Sequence, residues 1–267
     1  MRRDDAADGS LDKLSAMKGR TDILPLEFAD WFAGRGWQLR PHQAAVIEQA
    51  QAGKSVLLIA PTGGGKTLAG FLPSLIDLAA NPSGEPRLHT LYISPLKALA
   101  VDVARNVETP AAEMALPVTI ETRTGDTPQN RRQRQRERPP DILMTTPEQL
   151  ALLLSHPNAA DFFRHLKHVI LDELHALVAS KRGDLLALDL ARLWQLAPEL
   201  LTTGLSATVP DDEPLRRFLV PQLPDKDGVI PMAELVRGEG GARPEIEVMA
   251  SGERVPWAGH SARHAYG

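Results

Sequence analysis

Two short strings carry side chains suited to phosphate chemistry: residues 60–67 read APTGGGKT, and residues 172–175 read DELH. In the first, Gly63, Gly64 and Gly65 let the backbone wrap a phosphate with successive N–H groups turned inward. Lys66 then reaches β- and γ-phosphates, and Thr67 offers a hydroxyl to magnesium. Ala60 stands where the general GxxxxGK[ST] pattern has glycine. In DELH, Asp172 suits magnesium bound through water, and Glu173 suits orientation or deprotonation of an attacking water. Alone, DELH equally fits an acidic strand-to-helix turn. The phosphate loop upstream decides for the chemical reading, with ATP and Mg2+ as the implied cofactors.

A third string, LRPHQ at 39–43, lies before the phosphate loop. Gln43 carries both a donor and an acceptor, the pair needed for an adenine edge, and Trp37 is close enough in sequence to stack beside it. A helix-start glutamine and a core tryptophan fit the same residues.

The elements that position these strings follow from hydrophobic patterning. Short apolar runs at 55–60, 88–94, 118–122, 140–145, 168–173 and 201–207 read as strands. Helical stretches are expected at 41–52, 66–79, 97–115, 127–137, 147–155, 183–196 and 211–219. Buried strands alternating with helices indicate a parallel sheet covered on both faces. In such sheets ligands bind beyond the carboxyl ends of the strands. APTGGGKT, SPLK, TTPE, DELH and LSAT all fall at those ends. This shared placement predicts one functional edge.

Bulk properties narrow the class. The 267 residues suffice for a full core, and 43% hydrophobic with 24% charged residues is ordinary for a globular protein. A net charge of -4 means that any nucleic-acid surface is local. With no cysteine, disulfides and thiolate zinc sites are excluded, and a reducing, cytoplasmic location is expected. No apolar run approaches a membrane span. Residues 1–20 read as a disordered leader, 21–220 as the nucleotide-binding domain, and 221–267 as a Pro/Gly-rich linker with one strand. The basic run RRQRQRER at 131–138 fits either a solvated helix face or a nucleic-acid contact. His89, His156, His165 and His168 show no metal-ligand spacing and read as surface or satisfied core residues.

Taken in order, these motifs resemble the first motor domain of a superfamily-two DExH-box helicase, a RecA-like P-loop NTPase domain. The wording ISPLKALA, ETRTGDTP, TTPEQLALLLS, LDELHAL, SKRGDLLAL and GLSATV is similar to the Lhr (large helicase-related) group, and to bacterial ligase-associated DEXH-box helicases linked to DNA repair. The resemblance runs over roughly residues 24–267.

It implies roles residue by residue. Arg40 and Gln43 match adenine recognition, and Thr62 to Thr67 match the phosphate loop. Asp172 and Glu173 match the magnesium and water-activating pair. His175, Ser206, Ala207 and Thr208 match the elements linking the γ-phosphate to strand binding. Pro95, Leu96 and Lys97, then Arg123, Thr124 and Gly125, then Thr146, Pro147 and Glu148, match segments that grip one strand's backbone. Such contacts position the strand without reading its bases.

The implied partner is single-stranded or partly duplex nucleic acid, with DNA favoured and repair ligases or nucleases as further partners. The resemblance also implies a second motor domain supplying an arginine finger, with 221–267 as its truncated start. The chain alone is therefore expected to bind ATP–magnesium weakly and hydrolyse it slowly. An RNA helicase, a non-catalytic binding fragment and a P-loop protein of another class are the alternatives. LSAT, about thirty residues after DELH, argues against the last.

Overall fold

The expected strands pair into one sheet. A computed structural model describes residues 23–61, 63–207, 209–224 and 228–238, with the backbone alone for 97–99 and 101–102. The strands are β1 (Val56–Ile59), β2 (Thr90–Ile93), β3 (Ile120–Arg123), β4 (Ile142–Thr145), β5 (His168–Leu171), β6 (Leu201–Ser206) and β7 (Glu234–Arg237). They run in the order β3-β4-β2-β5-β6-β1-β7, every neighbouring pair parallel. Helices intervene: α1 (Leu26–Gly34), α2 (Pro41–Gln51), α3 (Lys66–Ala80), α4 (Lys97–Glu113), α5 (Gln129–Glu137), α6 (Pro147–Leu154), α7 (Ala159–Phe163), α8 (Leu174–Val178), α9 (Lys181–Leu196) and α10 (Glu213–Phe218).

Strand alternation explains the layering. Leu57, Ile59, Leu91, Ile93, Val169 and Leu171 point to one face, where α6 to α10 cover them. Val56, Leu58, Tyr92, Met144, Ile170 and Leu205 point to the other, under α1 to α4. With both faces of the central strands apolar, the polar motifs lie at the strand ends.

Three helices, α1, α7 and α8, fall where no helix was expected. β7 arises from the segment read as a linker with one strand, and pairs with β1 through Val56↔Glu234 to Ile59↔Arg237. The sheet thus extends past the boundary expected near 220. The leader and residues 239–267 lie outside the described residues, as do Thr62 and Thr208. No helix among the described residues is long and apolar enough to cross a membrane.

The basic run forms α5, where Arg131, Arg134 and Gln135 converge on Glu121 of β3. Burial pushes that carboxylate up, but Gln135 and Arg134 outweigh it and hold it below its ordinary value. At the amino-terminal end of the sheet, folding gathers His89, His168 and Asp77, with ligand atoms within 4.8 Å of one another, although their spacing in sequence did not suggest it. His89 Nε2 lies 2.7 Å from Asp77 Oδ2 and Nδ1 lies 2.9 Å from Thr90 Oγ1. Asp77 also accepts from Asn81 at 2.9 Å and meets Lys167 at 3.4 Å. Its oxygens are therefore already taken, and a lysine charge opposes a cation there. Burial holds both imidazoles below their ordinary pKa, His168 at about 4. His89 and Asp77 satisfy each other, and the His168 ring lies beside His89 at 5.4 Å.

Asp189 in α9 is a buried acid. It is 7% exposed, its Oδ2 has no partner, and burial pushes its carboxyl up to about 6 from 3.8. A raised folded-state pKa means that stability falls as pH rises between those values and that the cost is complete above the upper one. Asp189→Asn is expected to raise the melting temperature by about 2–4 °C at pH 8 and to match the parent at about pH 4.

Candidate functional site

The phosphate loop leaves β1 through Ala60 and Pro61 and enters α3 at Lys66. Gly63 and Gly65 take φ of +76° and +75°, the left-handed region that favours glycine. A Cβ on Gly64 would lie 2.8 Å from the Pro61 carbonyl oxygen, so that position also requires glycine. The Lys66 ammonium donates to the carbonyls of Ala60 (2.7 Å) and Pro61 (3.1 Å), within the loop itself. The Ala60 N–H donates to Ser206 O at 3.2 Å, tying the loop to the end of β6.

A histidine that sequence reasoning passed over braces this loop. His42, 4% exposed, places Nε2 2.9 Å from Gly64 O. A carbonyl only accepts, so Nε2 carries the proton. Burial pulls its pKa below the ordinary value, against the Gly64 bond and with help from Arg40. The signal was its place beside Gln43 in LRPHQ, the string already assigned to the nucleotide site.

Arg40 and Gln43 stand at the start of α2. The Arg40 N–H donates to Gln43 Oε1 at 2.9 Å, which fixes the carboxamide and engages one lone pair of the oxygen expected to face adenine. Both residues line a cavity of about 670 Å3 with Gly65, Thr67, Phe71 and Trp37. Trp37, 49% exposed, meets Trp31 edge-on at 5.6 Å, and the Arg35 guanidinium lies 5.1 Å from each ring. Trp37 is thus a pocket wall and not a core residue. The space suits a nucleoside beside the phosphate loop.

Asp172 and Glu173 close β5 two strands away. Asp172 is 7% exposed, and its N–H donates to Ile93 O at 2.9 Å. Its Oδ1 accepts from the Glu173 N–H at 2.9 Å and its Oδ2 from the Tyr92 hydroxyl. Glu173 holds a left-handed φ of +47°, unusual for a residue with a Cβ, and its side chain stays 39% exposed. His175 Nε2 lies 3.5 Å from Glu173 Oε2, while Nδ1 lies 3.1 Å from Ser206 Oγ. Since the Ser206 hydroxyl donates to Ala207 O at 2.9 Å, its oxygen accepts from His175. A continuous path therefore joins the acidic turn to LSAT, of which Thr208 lies outside the described residues.

The other strand ends are braced to one another. Arg182, at the start of α9, donates to Pro95 O at 2.6 Å and bidentately to Glu148 at 2.5 and 3.0 Å. Burial pushes the Glu148 carboxyl up, but Arg182 outweighs it and holds it below its ordinary value. Thr146 and Pro147 open α6 with Thr146 at its cap, yet the hydroxyl makes no capping bond. The Thr124 N–H donates to Thr127 Oγ1 at 2.9 Å, and Arg132 donates to the carbonyls of Thr124 (3.2 Å) and Gly125 (2.5 Å). Lys97 begins α4, with only its backbone described.

Arg123 departs from its expected part. It is 4% exposed and donates to Arg132 O at 3.1 Å. Burial and the neighbouring charges of Arg136 and Arg132 lower its pKa to about 10. It supports α5 from inside and does not present charge at the surface. Arg182, quoted in the sequence only within SKRGDLLAL, is the brace that sequence reasoning missed.

This edge can hold a nucleoside triphosphate, offer two carboxylates to metal and water, and set several helix starts beside them. A family model for DEAD/DEAH box helicase matches residues 40–216, the span from adenine motif to α10. The chain belongs to the DEAD/DEAH box helicase family. It is similar to an Lhr helicase of Mycolicibacterium smegmatis, 46% identical over 219 residues, which cover 77% of this chain and 14% of that protein. The ATP-dependent helicase Lhr-Core of Methanocaldococcus jannaschii is 39% identical over 212 residues, 74% of this chain and 25% of that one. Among solved structures, Mycobacterium smegmatis helicase Lhr bound to ssDNA and AMP-PNP matches with a TM-score of 0.70 and 40% identity, covering 81% of this chain and 28% of that chain. The chain spans about a quarter or less of these relatives' length. The RecA-like fold and the Lhr-type resemblance expected from the motifs are both borne out.

Gly64→Ala tests the loop geometry. Displacing one or two phosphate-facing N–H groups is expected to weaken ATP-analogue binding by roughly tenfold or more, with circular dichroism unchanged.

Proposed function

We propose that this chain is the ATP-binding motor domain of an Lhr-type helicase, using ATP hydrolysis to move along nucleic acid. The observation that carries this reading is the convergence of APTGGGKT, DELH and the braced turns on one sheet edge. Lys66 and the amides of Gly63 to Gly65 hold phosphates. Thr67 and Asp172 hold Mg2+, and Glu173 orients the attacking water. Arg40 and Gln43 select adenine, with Thr62 completing the loop. His175, Ser206, Ala207 and Thr208 report the γ-phosphate to the strand site. Pro95, Lys97, Thr124, Gly125, Thr146 and Pro147 grip the strand's backbone, with Arg123 supporting them from within.

In the proposal residues 21–220 form this unit, with β7 added to its sheet, and 221–267 are a linker and the start of a second motor domain. Single-stranded DNA is the favoured track, because the similar Lhr structure is bound to ssDNA. A cytoplasmic place, a role in DNA repair and ligase or nuclease partners accompany the reading.

Fluorescent ATP-analogue binding to the purified chain, with and without magnesium, is the test. Magnesium-dependent binding is expected; none at millimolar analogue contradicts the reading. Glu173→Gln is expected to keep binding within about twofold and to lower whatever hydrolysis the chain shows by about 10²-fold or more. Arg182→Ala frees the Pro95 and Glu148 segments. Anisotropy with a labelled single strand is expected to show about three- to tenfold weaker binding, with ATP-analogue affinity held.

A further inference from the structure

Tyr92 belongs to none of the motifs, yet it touches three of them. It lies fully buried in β2, and its ring stacks on Phe71 of α3, the helix that the phosphate loop opens, with centroids 5.3 Å apart and planes at 27°. Its hydroxyl donates to Asp172 Oδ2. Ser94, also fully buried and opening the SPLK turn, is a second hydrogen-bond partner of the same phenol. A strand interior normally carries an apolar side chain at such a position, and a phenylalanine would fill the same space.

The phenol's one distinctive property is therefore its hydroxyl. Asp172 has one oxygen fixed by the Glu173 N–H at 2.9 Å and the other fixed by Tyr92. Two donors on two oxygens allow the carboxylate one rotation. A charge-assisted bond of this kind is among the stronger ones in a protein.

Resting on the functional reading above, we propose that Tyr92 is a positioning residue for the metal-holding carboxylate, setting the rotation of Asp172 so that it meets Mg2+ at the phosphate loop. Phe71 sets the height of the ring and Ser94 fixes the phenol from the side of the SPLK turn. One side chain in the core thus ties the metal position to the phosphate-loop helix and to the turn assigned to strand binding.

The test is Tyr92→Phe in the full 267-residue chain. A fluorescent non-hydrolysable ATP analogue is titrated in EDTA and across a magnesium series, with circular dichroism as the fold control. The variant is expected to bind the analogue in EDTA as the parent does and to need about five- to tenfold more magnesium for half-maximal enhancement. A merely structural role would lower both together. Equal or lower magnesium demand overturns the proposal, and so does a parallel loss in EDTA. If the parent itself shows no magnesium-dependent binding, the metal role of the site fails first and this assignment fails with it.

Discussion

The parallel sheet buries both of its faces, and that constraint organises the rest of the molecule. Central strands such as VLLI and HVIL supply apolar side chains alternately to two helix layers, whereas Glu121 and Arg123 belong to the edge strand β3 and Glu234 and Arg237 to β7. The polar motifs gather at the strand ends. At the carboxyl ends each chain segment turns towards a helix, bringing unpaired N–H groups and side-chain oxygens together. The opposite edge collects polar groups too, but there His89 and Asp77 satisfy each other. Among the described residues, the carboxyl edge is where carboxylates, glycine amides and helix starts come together.

What makes that edge a unit is the cross-bracing between its turns. The His42 imidazole holds the phosphate loop, His175 joins the acidic turn to Ser206, and Arg182 joins the Pro95 turn to Glu148. None of these pairs is close in sequence. Each is a polar contact at the rim of the core, where a donor lost on one turn leaves an acceptor unsatisfied on the next. A ligand that shifts one turn therefore acts on its neighbours through bonds already formed.

Much of this was legible from residue order. Periodicity placed all six expected strands, because each is a short apolar run between turn residues. APTGGGKT was recognisable because Gly63 and Gly65 need left-handed backbone and Gly64 a close approach. What stayed hidden was long-range and polar. Tyr92 reads as one more β-strand aromatic until β5 is laid beside β2. Arg182 reads as a surface charge until α9 meets the Pro95 turn. The reverse held for Arg123, whose charge suggested a surface contact while its place at the end of β3 buried it under α5. β7 was obscured by the Pro/Gly-rich residues before it, and its pairing with β1 depends on chain reversal that spacing alone does not encode.

In the proposed function, nucleotide and nucleic acid share this single edge. A crystal structure of the chain with magnesium, a non-hydrolysable ATP analogue and a short single-stranded oligonucleotide tests it most directly. Phosphates are expected on the amides of Gly63 to Gly65, the metal between Thr67 and Asp172, and the strand across the turns at Pro95, Thr124 and Thr146. A nucleotide away from the phosphate loop, or an oligonucleotide bound on a helix layer or at the opposite edge, would contradict it.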